Sequence, residues 1–156
     1  MLNCDYLIVG SGAVGMAFAD VLLHESDATM VIVDRHHGPG GHWNDAYPFV
    51  RLHQPSAFYG VNSRKLGSDV RDRTRLNFGM CDRSTSAELL SYYEQIMQTF
   101  LASGRVQYSP MSNYIGNYAD EHTFSSLLSG GTQRVSVRKK VVDTSYLNTS
   151  VPSTHP

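Results

Sequence analysis

Three glycines near the start of the chain have the spacing of a phosphate-binding turn. The apolar residues 7–9 run directly into residues 10–15, whose sequence GSGAVG matches the pattern G-x-G-x-x-G. In this pattern Gly10 permits a tight turn, Gly12 lets a pyrophosphate approach the main chain, and Gly15 lets a helix pack against the strand. The start of that helix presents free N–H groups and a positive dipole end to the phosphates. The predicted phosphate-binding residues are Gly10, Gly12, Ala13, Val14 and Gly15.

An acid follows the second apolar run at a distance that suits ribose binding. Residues 30–33 read MVIV and end at Asp34, which lies 24 positions after Gly10. A carboxylate at this offset accepts hydrogen bonds from both ribose hydroxyls and repels a 2′-phosphate. The spacing predicts a dinucleotide site, with Asp34 and Arg35 among its cofactor-binding residues. The alternative is a strand–helix–strand unit without a ligand, in which Asp34 only ends a strand.

The segment after Asp34 is rich in Gly and Pro, so we expect no regular structure there, yet it holds the only Trp of the chain. Residues 40–43 read GGHW and residues 47–52 read YPFVRL. A strand-ending acid followed by G-G-x-W and Y-P-x-x-R-L resembles the FAD-binding half of class B flavoprotein monooxygenases. That group includes the flavin-containing and Baeyer–Villiger monooxygenases and their bacterial FAD/NAD(P)-dependent relatives. The resemblance implies a loop over the FAD that contains Gly41, Trp43, Tyr47, Pro48 and Arg51.

Within this loop, chemistry suggests separate roles. Gly41 allows the main chain close to the cofactor, Trp43 offers an apolar plate, and the Arg51 guanidinium neutralises part of the pyrophosphate charge. The resemblance also places Gln54 beside the isoalloxazine ring, as a polar contact to the flavin or its peroxide. The alternative for Gln54 is a simple turn, signalled by Pro55.

Two departures from the family and two other interpretations of the loop stay open. The family often has Glu at the position of Asp34, and a small or apolar residue at that of His42. We therefore include His42 among the cofactor-binding residues without a defined role. One other interpretation is a surface loop that is anchored by its Trp. The other is a metal site, although the spacing of the histidines matches no known ligand pattern. The histidines that suggest a metal are His36, His37, His42 and His53.

The rest of the chain predicts further strands and helices. Thr85 and Glu88 fit a capping box at the start of a helix with apolar residues at helical spacing, and Gly104 is a natural stop. Residues 61–83 alternate in charge and predict a solvated excursion, and Gly130-Gly131 predicts a hairpin turn. The predicted strands are residues 5–9, 29–34, 105–108, 113–118, 123–128 and 133–142, and the first helix is residues 13–24.

Composition places the chain among single globular domains. It has 156 residues, 41% of them hydrophobic and 17% charged, with a net charge of −1. This charge gives no general attraction to nucleic acid or to an anionic membrane, and no apolar run reaches the length of a membrane span. The first strand leaves no room for a signal peptide, and the two cysteines form no disulfide framework, so we expect a cytoplasmic location.

Other parts of the resembling enzymes are missing from the sequence. We find no second G-x-G-x-x-G for NAD(P)H and no F-x-G followed by a spaced His. Residues 139–146, KKVVDTSY, are similar to the strand that closes the FAD-domain meander, after which the family chain continues. We therefore expect residues 1–156 to be one FAD-binding domain of a larger enzyme, without the NAD(P)H and substrate domain.

The prediction is an α/β fold: a Rossmann-like FAD/NAD(P)-binding domain with a parallel sheet, helices and a small β-meander on one face. The first functional hypothesis is the FAD-binding portion of an NAD(P)H-dependent flavoprotein oxidoreductase of the monooxygenase type, with no catalytic residue of its own. The second is a non-catalytic nucleotide- or partner-binding module, in which a homo-oligomer covers the face left by the missing domain. The third is an oxidoreductase that binds NAD alone.

Overall fold

Six strands form one mixed sheet in the order β3-β2-β1-β6-β5-β4. The computed structural model describes residues 1–68, 70–73, 78–118 and 121–145. In chain order the elements are β1 (Leu2–Val9), α1 (Ala13–Glu25), β2 (Met30–Val33), α2 (Ser86–Ala102), β3 (Val106–Ser109), β4 (Ser112–Tyr118), β5 (Glu121–Ser126) and β6 (Thr132–Asp143). The α/β fold predicted from the sequence is confirmed.

The first three strands are parallel and carry the candidate site. Ile8 of β1 pairs with Ile32 of β2, and Met30 pairs with Val106 of β3. All four residues of β2 are buried, as expected for a strand covered on both faces. The carboxyl ends of β1 and β2 therefore lie at the same edge of the sheet, where open α/β sheets bind their ligands.

The meander continues this sheet instead of forming a layer on one face. The long strand β6 pairs with β1 in parallel, and β5 is antiparallel to both of its neighbours, β4 and β6. Val135 of β6 pairs with Leu2 on one side and with His122 on the other, so both ladders share one strand. The predicted position of the meander is thus corrected, because β6 has enough residues to join both halves.

The second helix begins where its capping box predicts. The Thr85 hydroxyl accepts the Glu88 N–H, and the Glu88 carboxylate accepts the Thr85 N–H, so two otherwise unpaired donors are satisfied. Gly104, with φ +70°, follows the helix end. Leu89, Tyr93 and Phe100 on the inner face of the helix are fully buried in the main core with the apolar face of α1.

Parts of two loops are more ordered than predicted. A short 3₁₀ helix, Gly41–Asp45, lies inside the Gly- and Pro-rich segment. The excursion 61–83 is anchored at its start, because Val61 is buried and the Ser63 N–H and hydroxyl donate to the buried Asp20 carboxylate of α1. Predictions that fall on Asp69, Arg75, Tyr146 and the tail 148–156 lie outside the described residues.

Both cysteines are free thiols in the described structure. Burial raises the pKa of the Cys4 thiol to about 11. Cys4 therefore stays protonated at neutral pH, and Cys81 is partly exposed. Among the described residues, no helix has both the length and the apolarity needed to cross a membrane.

An ion pair between β1 and β6 predicts a dependence of stability on pH. Arg138 Nε donates to Asp5 Oδ1 at 3.1 Å, and the Thr29 N–H donates to Asp5 Oδ2 at 2.9 Å. Arg138, followed by Thr29, holds the pKa of Asp5 well below its usual range. Because the folded-state pKa is lowered, the stabilisation is fully present above the ordinary carboxyl pKa of about 4 and is lost as pH falls through the folded-state pKa.

We therefore expect Asp5→Asn to lower Tm at pH 7, and the Tm difference from wild type to shrink as pH falls from 5 towards 2. Thermal unfolding followed by circular dichroism across this range measures the difference. Asp27→Asn, which changes an exposed carboxylate before β2, serves as the control. A Tm difference for Asp5→Asn that stays constant over the whole pH range would contradict the assignment.

Candidate functional site

The glycine-rich turn joins β1 to α1 with the geometry that its spacing predicts. Gly10 has φ +101°, a conformation that favours glycine, and its N–H donates to the Val33 carbonyl oxygen at 2.8 Å. A Cβ on Gly15 would lie only 2.1 Å from the Gly10 carbonyl oxygen. The missing side chains of these two glycines thus allow the turn and the close packing of helix on strand.

The N-terminus of α1 opens beside this turn. Gly12 is the N-cap residue, so it offers no side chain to cap the helix. The hydroxyl of the neighbouring Ser11 does not cap the helix either, because it donates to Asp34 Oδ2 at 2.8 Å. Val14 in the first helical turn is 67% exposed, while Ala13 is partly buried. The helix start therefore combines main chain that no side chain caps with a positive dipole end, which suits an anion.

The main chain of the following loop lies directly against the turn. The Gly40 N–H donates to the Ser11 carbonyl oxygen at 2.8 Å. Gly41 has φ +57°, and a Cβ on it would lie 2.9 Å from the Gly12 Cα. A Cβ on Gly12 would meet the Gly41 Cα at 3.5 Å, an ordinary van der Waals distance. The bare Cα of Gly12 therefore faces the loop, and Gly41 is the residue that this contact restricts. The pyrophosphate contact of the Gly12 main chain stays a prediction.

Asp34 lies at the end of β2 with its carboxylate turned towards the glycine turn. It is buried, with 5% exposure, and Oδ2 accepts the Ser11 N–H at 2.5 Å together with the Ser11 hydroxyl. Oδ1 accepts the His36 N–H at 2.7 Å and contacts His36 Nδ1 at 2.9 Å. The described residues thus supply four donors to a carboxylate that has about four acceptor positions.

Two further groups extend this network. His36 Nε2 lies 2.9 Å from Oδ2 of Asp45, a residue of the 3₁₀ helix that is 72% exposed. His36 thus lies between the carboxylates of Asp34 and Asp45. On the other side, the Tyr108 hydroxyl lies 3.2 Å from Ser11 Oγ, and burial raises the pKa of Tyr108 to about 12. Tyr108 therefore remains a hydrogen-bond donor at neutral pH.

Thr144 closes the turn from the end of β6. Its N–H and hydroxyl both donate to the Val9 carbonyl oxygen at 2.8 Å, and the hydroxyl lies 3.1 Å from the Gly10 carbonyl oxygen. A Cβ on Gly10 would lie 2.8 Å from Thr144 Oγ1. The turn is thus held by three strands: β1, β2 and β6.

The Trp43 side chain packs into the core. Trp43 is buried, with 8% exposure, and its indole N–H donates to the Tyr59 hydroxyl at 2.8 Å. It belongs to the main apolar cluster, which α2 also lines. This corrects the expectation of an apolar plate for the cofactor, because both the ring and its N–H are used inside the protein. Trp43 instead fixes the position of the 3₁₀ helix and therefore of Gly41.

Arg51, another predicted residue of the loop, bonds to the segment before α2. Arg51 Nη1 donates to the Arg83 carbonyl oxygen at 3.0 Å, and its main chain forms a bridge with Thr85. This guanidinium is therefore used to join the loop to the segment before α2, which differs from the predicted pyrophosphate contact. The side chains of Arg35, His42 and Gln54 are exposed, and so are those of Tyr47 and Pro48 in the loop.

Five residues of this network were not predicted from the sequence: Ser11, His36, Asp45, Tyr108 and Thr144. The spacing Asp34-x-His36 is a signal for a local bond, since Asp side chains often accept from the N–H two residues on. Ser11 gave no separate signal, and Thr144 is 134 positions from Gly10. Within the described ranges, no group of three or more His, Cys, Asp and Glu side chains is placed to hold a metal ion.

Parallel strands, a glycine-rich turn and an acid at the end of the second strand define a Rossmann-like domain. Residues 8–62 match the NAD(P)-binding Rossmann-like domain family. The chain is 46% identical over 156 residues to the uncharacterized protein Rv2000 of Mycobacterium tuberculosis, and the match covers 99% of this chain. The chain spans only 28% of the length of that relative.

Solved structures of flavin monooxygenases share this fold. A flavin-containing monooxygenase from Stenotrophomonas maltophilia has a TM-score of 0.66 at 19% identity, covering 92% of this chain and 38% of that one. A cyclohexanone monooxygenase mutant from Rhodococcus sp. Phi1, bound to NADP⁺, has a TM-score of 0.63 at 22% identity, covering 99% and 28%. The predicted resemblance to the front part of such enzymes is confirmed at the level of the fold.

Proposed function

We propose that this chain is the FAD-binding portion of an NAD(P)H-dependent flavoprotein oxidoreductase of the monooxygenase type. The observation that carries the proposal is the Asp34 carboxylate, bonded to the Ser11 N–H of the glycine turn at 2.5 Å. This bond holds the carboxylate beside the start of α1, where it would accept ribose hydroxyls while the helix start would bind a pyrophosphate. The fold shared with flavin monooxygenases supports the choice of FAD over NAD alone.

The residues present fit the adenosine diphosphate half of FAD. Gly10 and Gly15 leave the space that the turn requires, and the first N–H groups of α1, near Ala13 and Val14, would hold the pyrophosphate. Asp34 would accept the ribose hydroxyls and, as a carboxylate, would disfavour a 2′-phosphate. Gly41, held against Gly12, would border the cofactor with main chain alone.

The flavin itself would supply the redox chemistry, by accepting a hydride from NAD(P)H and reacting with O₂ when reduced. This chain would bind and orient the cofactor. We assign no general acid or base to it. In this proposal the rest of the enzyme would correspond to the part of the longer relatives that this chain does not span. Two free cysteines fit the cytoplasmic location that is part of the proposal.

A second candidate is a binding module without turnover, and the placement of Arg51 and Trp43 favours it. The Trp43 indole N–H donates to the Tyr59 hydroxyl and Arg51 Nη1 donates to the Arg83 carbonyl oxygen, so these two donors are engaged within the protein. Such a module would bind the adenosine diphosphate half of a dinucleotide and leave the flavin ring poorly held. Pairing of two copies belongs to this candidate, and size-exclusion chromatography tests it.

The experiment measures FAD and ADP binding to the purified chain, followed by flavin-dependent oxidation of NADH and NADPH. The first proposal expects a yellow complex whose FAD is released on denaturation, and saturable binding of ADP. Asp34→Asn, checked for folding by circular dichroism, is the matched control and is expected to bind both ligands weakly. ADP binding without FAD retention would favour the module, and NAD binding without FAD binding would favour the third hypothesis. Binding of none of these nucleotides would overturn the first two candidates.

A further inference from the structure

The four hydrogen bonds to Asp34 fall into two kinds. The Ser11 and His36 main-chain N–H groups give one bond to each carboxylate oxygen, and the turn geometry fixes these bonds. The Ser11 hydroxyl adds a second bond to Oδ2, and His36 Nδ1 adds a second to Oδ1. Each oxygen therefore carries one main-chain donor and one side-chain donor. Side-chain donors can rotate away without unfolding the turn, whereas main-chain donors cannot.

A ribose brings two hydroxyl donors to the same carboxylate. Asp34 is already saturated by the described residues, since an ionised carboxylate has about four acceptor positions. Two ribose hydroxyls can bind only if two donors leave. There are two side-chain donors, one on each carboxylate oxygen, so they are the donors that two ribose hydroxyls would replace. Each also has another partner: Tyr108 lies 3.2 Å from Ser11 Oγ, and Asp45 lies 2.9 Å from His36 Nε2.

We propose that the His36 imidazole and the Ser11 hydroxyl occupy the positions of the two ribose hydroxyls on Asp34, and that a nucleotide binds by displacing them. The proposal rests on the proposed nucleotide site and adds a competitor within the chain. His36 is thus a residue that lowers the affinity for ribose-containing ligands. It would act through Asp34 and would not contact the reacting atoms.

Displacement of His36 also links the ribose to the 3₁₀ helix. Asp45 is the last residue of this helix, and His36 joins it to Asp34 through the two ring nitrogens. When the ring leaves Asp34, it can no longer span the two carboxylates in the same position. Ribose binding would therefore release this link between the exit of β2 and the loop that carries Gly41.

The test is a calorimetric titration of wild type and His36→Ala with ADP and with 2′,3′-dideoxy-ADP, which lacks both ribose hydroxyls. His36→Ala keeps the main-chain bond to Asp34 and removes only the ring. We expect its Kd for ADP to fall about tenfold, because one bond to a charged acceptor no longer has to be broken. The Kd for dideoxy-ADP should stay within about twofold of wild type. Control variant His37→Ala, at an exposed neighbour, should leave both constants unchanged.

A second measurement follows the ring directly. In wild type labelled with ¹⁵N at histidine, ADP should shift the His36 ring nitrogen resonances, and dideoxy-ADP should not. Unchanged or weaker ADP binding by His36→Ala would overturn the inference, and so would equal tightening of both ligands. If neither wild type nor His36→Ala binds ADP while both melt cooperatively, the nucleotide site itself is wrong. These outcomes separate failure of the inference from failure of the proposed function.

Discussion

Replacing Gly15 by Ala should destabilise the protein by at least about 3 kcal/mol, near the upper end of overpacking effects. The added Cβ would lie 2.1 Å from the Gly10 carbonyl oxygen and 2.8 Å from Thr144 Oγ1. The first neighbour is main chain and cannot rotate away, so α1 must move from β1 or the turn must open. The gain in helix propensity, about 1 kcal/mol for Ala over Gly, does not offset this. Chemical denaturation followed by circular dichroism measures the change.

Gly38→Ala is the matched control for that experiment. A Cβ on Gly38 meets nothing within 4 Å, and the residue lies in the loop between β2 and the 3₁₀ helix. We expect its free energy of unfolding to change by no more than about 0.5 kcal/mol. Equal stability of the two variants would contradict the close packing of α1 on β1 at Gly15. A folded Gly15→Ala variant should also bind ADP more weakly, because the turn is displaced.

Asp34→Asn should lower the affinity for ADP about 100-fold and destabilise the chain by about 2 kcal/mol. An amide has one oxygen and one NH₂ group, whereas the Asp34 oxygens each face a main-chain N–H, one from Ser11 and one from His36. Whichever way the amide turns, a donor meets a donor. The substitution also removes the negative charge that would strengthen the two ribose hydrogen bonds. Calorimetric titration and chemical denaturation measure the two effects.

Asp27→Asn tests whether loss of a negative charge alone explains the effect of Asp34→Asn. Asp27 is an exposed carboxylate before β2 and should change neither ADP affinity nor stability. The Asp34→Asn variant should lose much less affinity for dideoxy-ADP than for ADP, since that ligand makes no ribose hydrogen bonds. ADP binding by Asp34→Asn at wild-type affinity would show that the ribose lies elsewhere.

Much of the turn could be predicted because its causes are local. The spacing of Gly10 and Gly15, the apolar runs before and after α1, and the capping box at Thr85 each depend on residues a few positions apart. Such signals specify strand, turn and helix almost independently of the rest of the chain. The position of Asp34 could be predicted in the same way, because Asp34 directly follows the apolar run of β2, which pairs with β1.

The loop residues show where this reasoning stops. The sequence could mark Trp43 and Arg51 as unusual but could not say which way their side chains point. That direction depends on Tyr59, which accepts the indole N–H, and on the Arg83 carbonyl oxygen, which accepts from Arg51. Tyr59 and the Arg83 carbonyl oxygen reach these positions only when the loop packs against α2 and the segment before it. A family resemblance assigns a position in the chain, whereas the rotamer is decided by neighbours that the resemblance does not name.

By itself, the sequence determined a Rossmann-like domain with a glycine turn and an acid beside it, because short-range spacing and apolar runs carry that information. Only the tertiary structure decided that β6 joins the meander to β1, that the Gly41 main chain lies close to the bare Cα of Gly12, and that Asp34 is already saturated with donors. These features depend on contacts between distant residues, such as the pairing of Val9 with Asp143. No periodicity in the sequence encodes which main-chain atoms will meet, so these contacts are decided only when the chain packs.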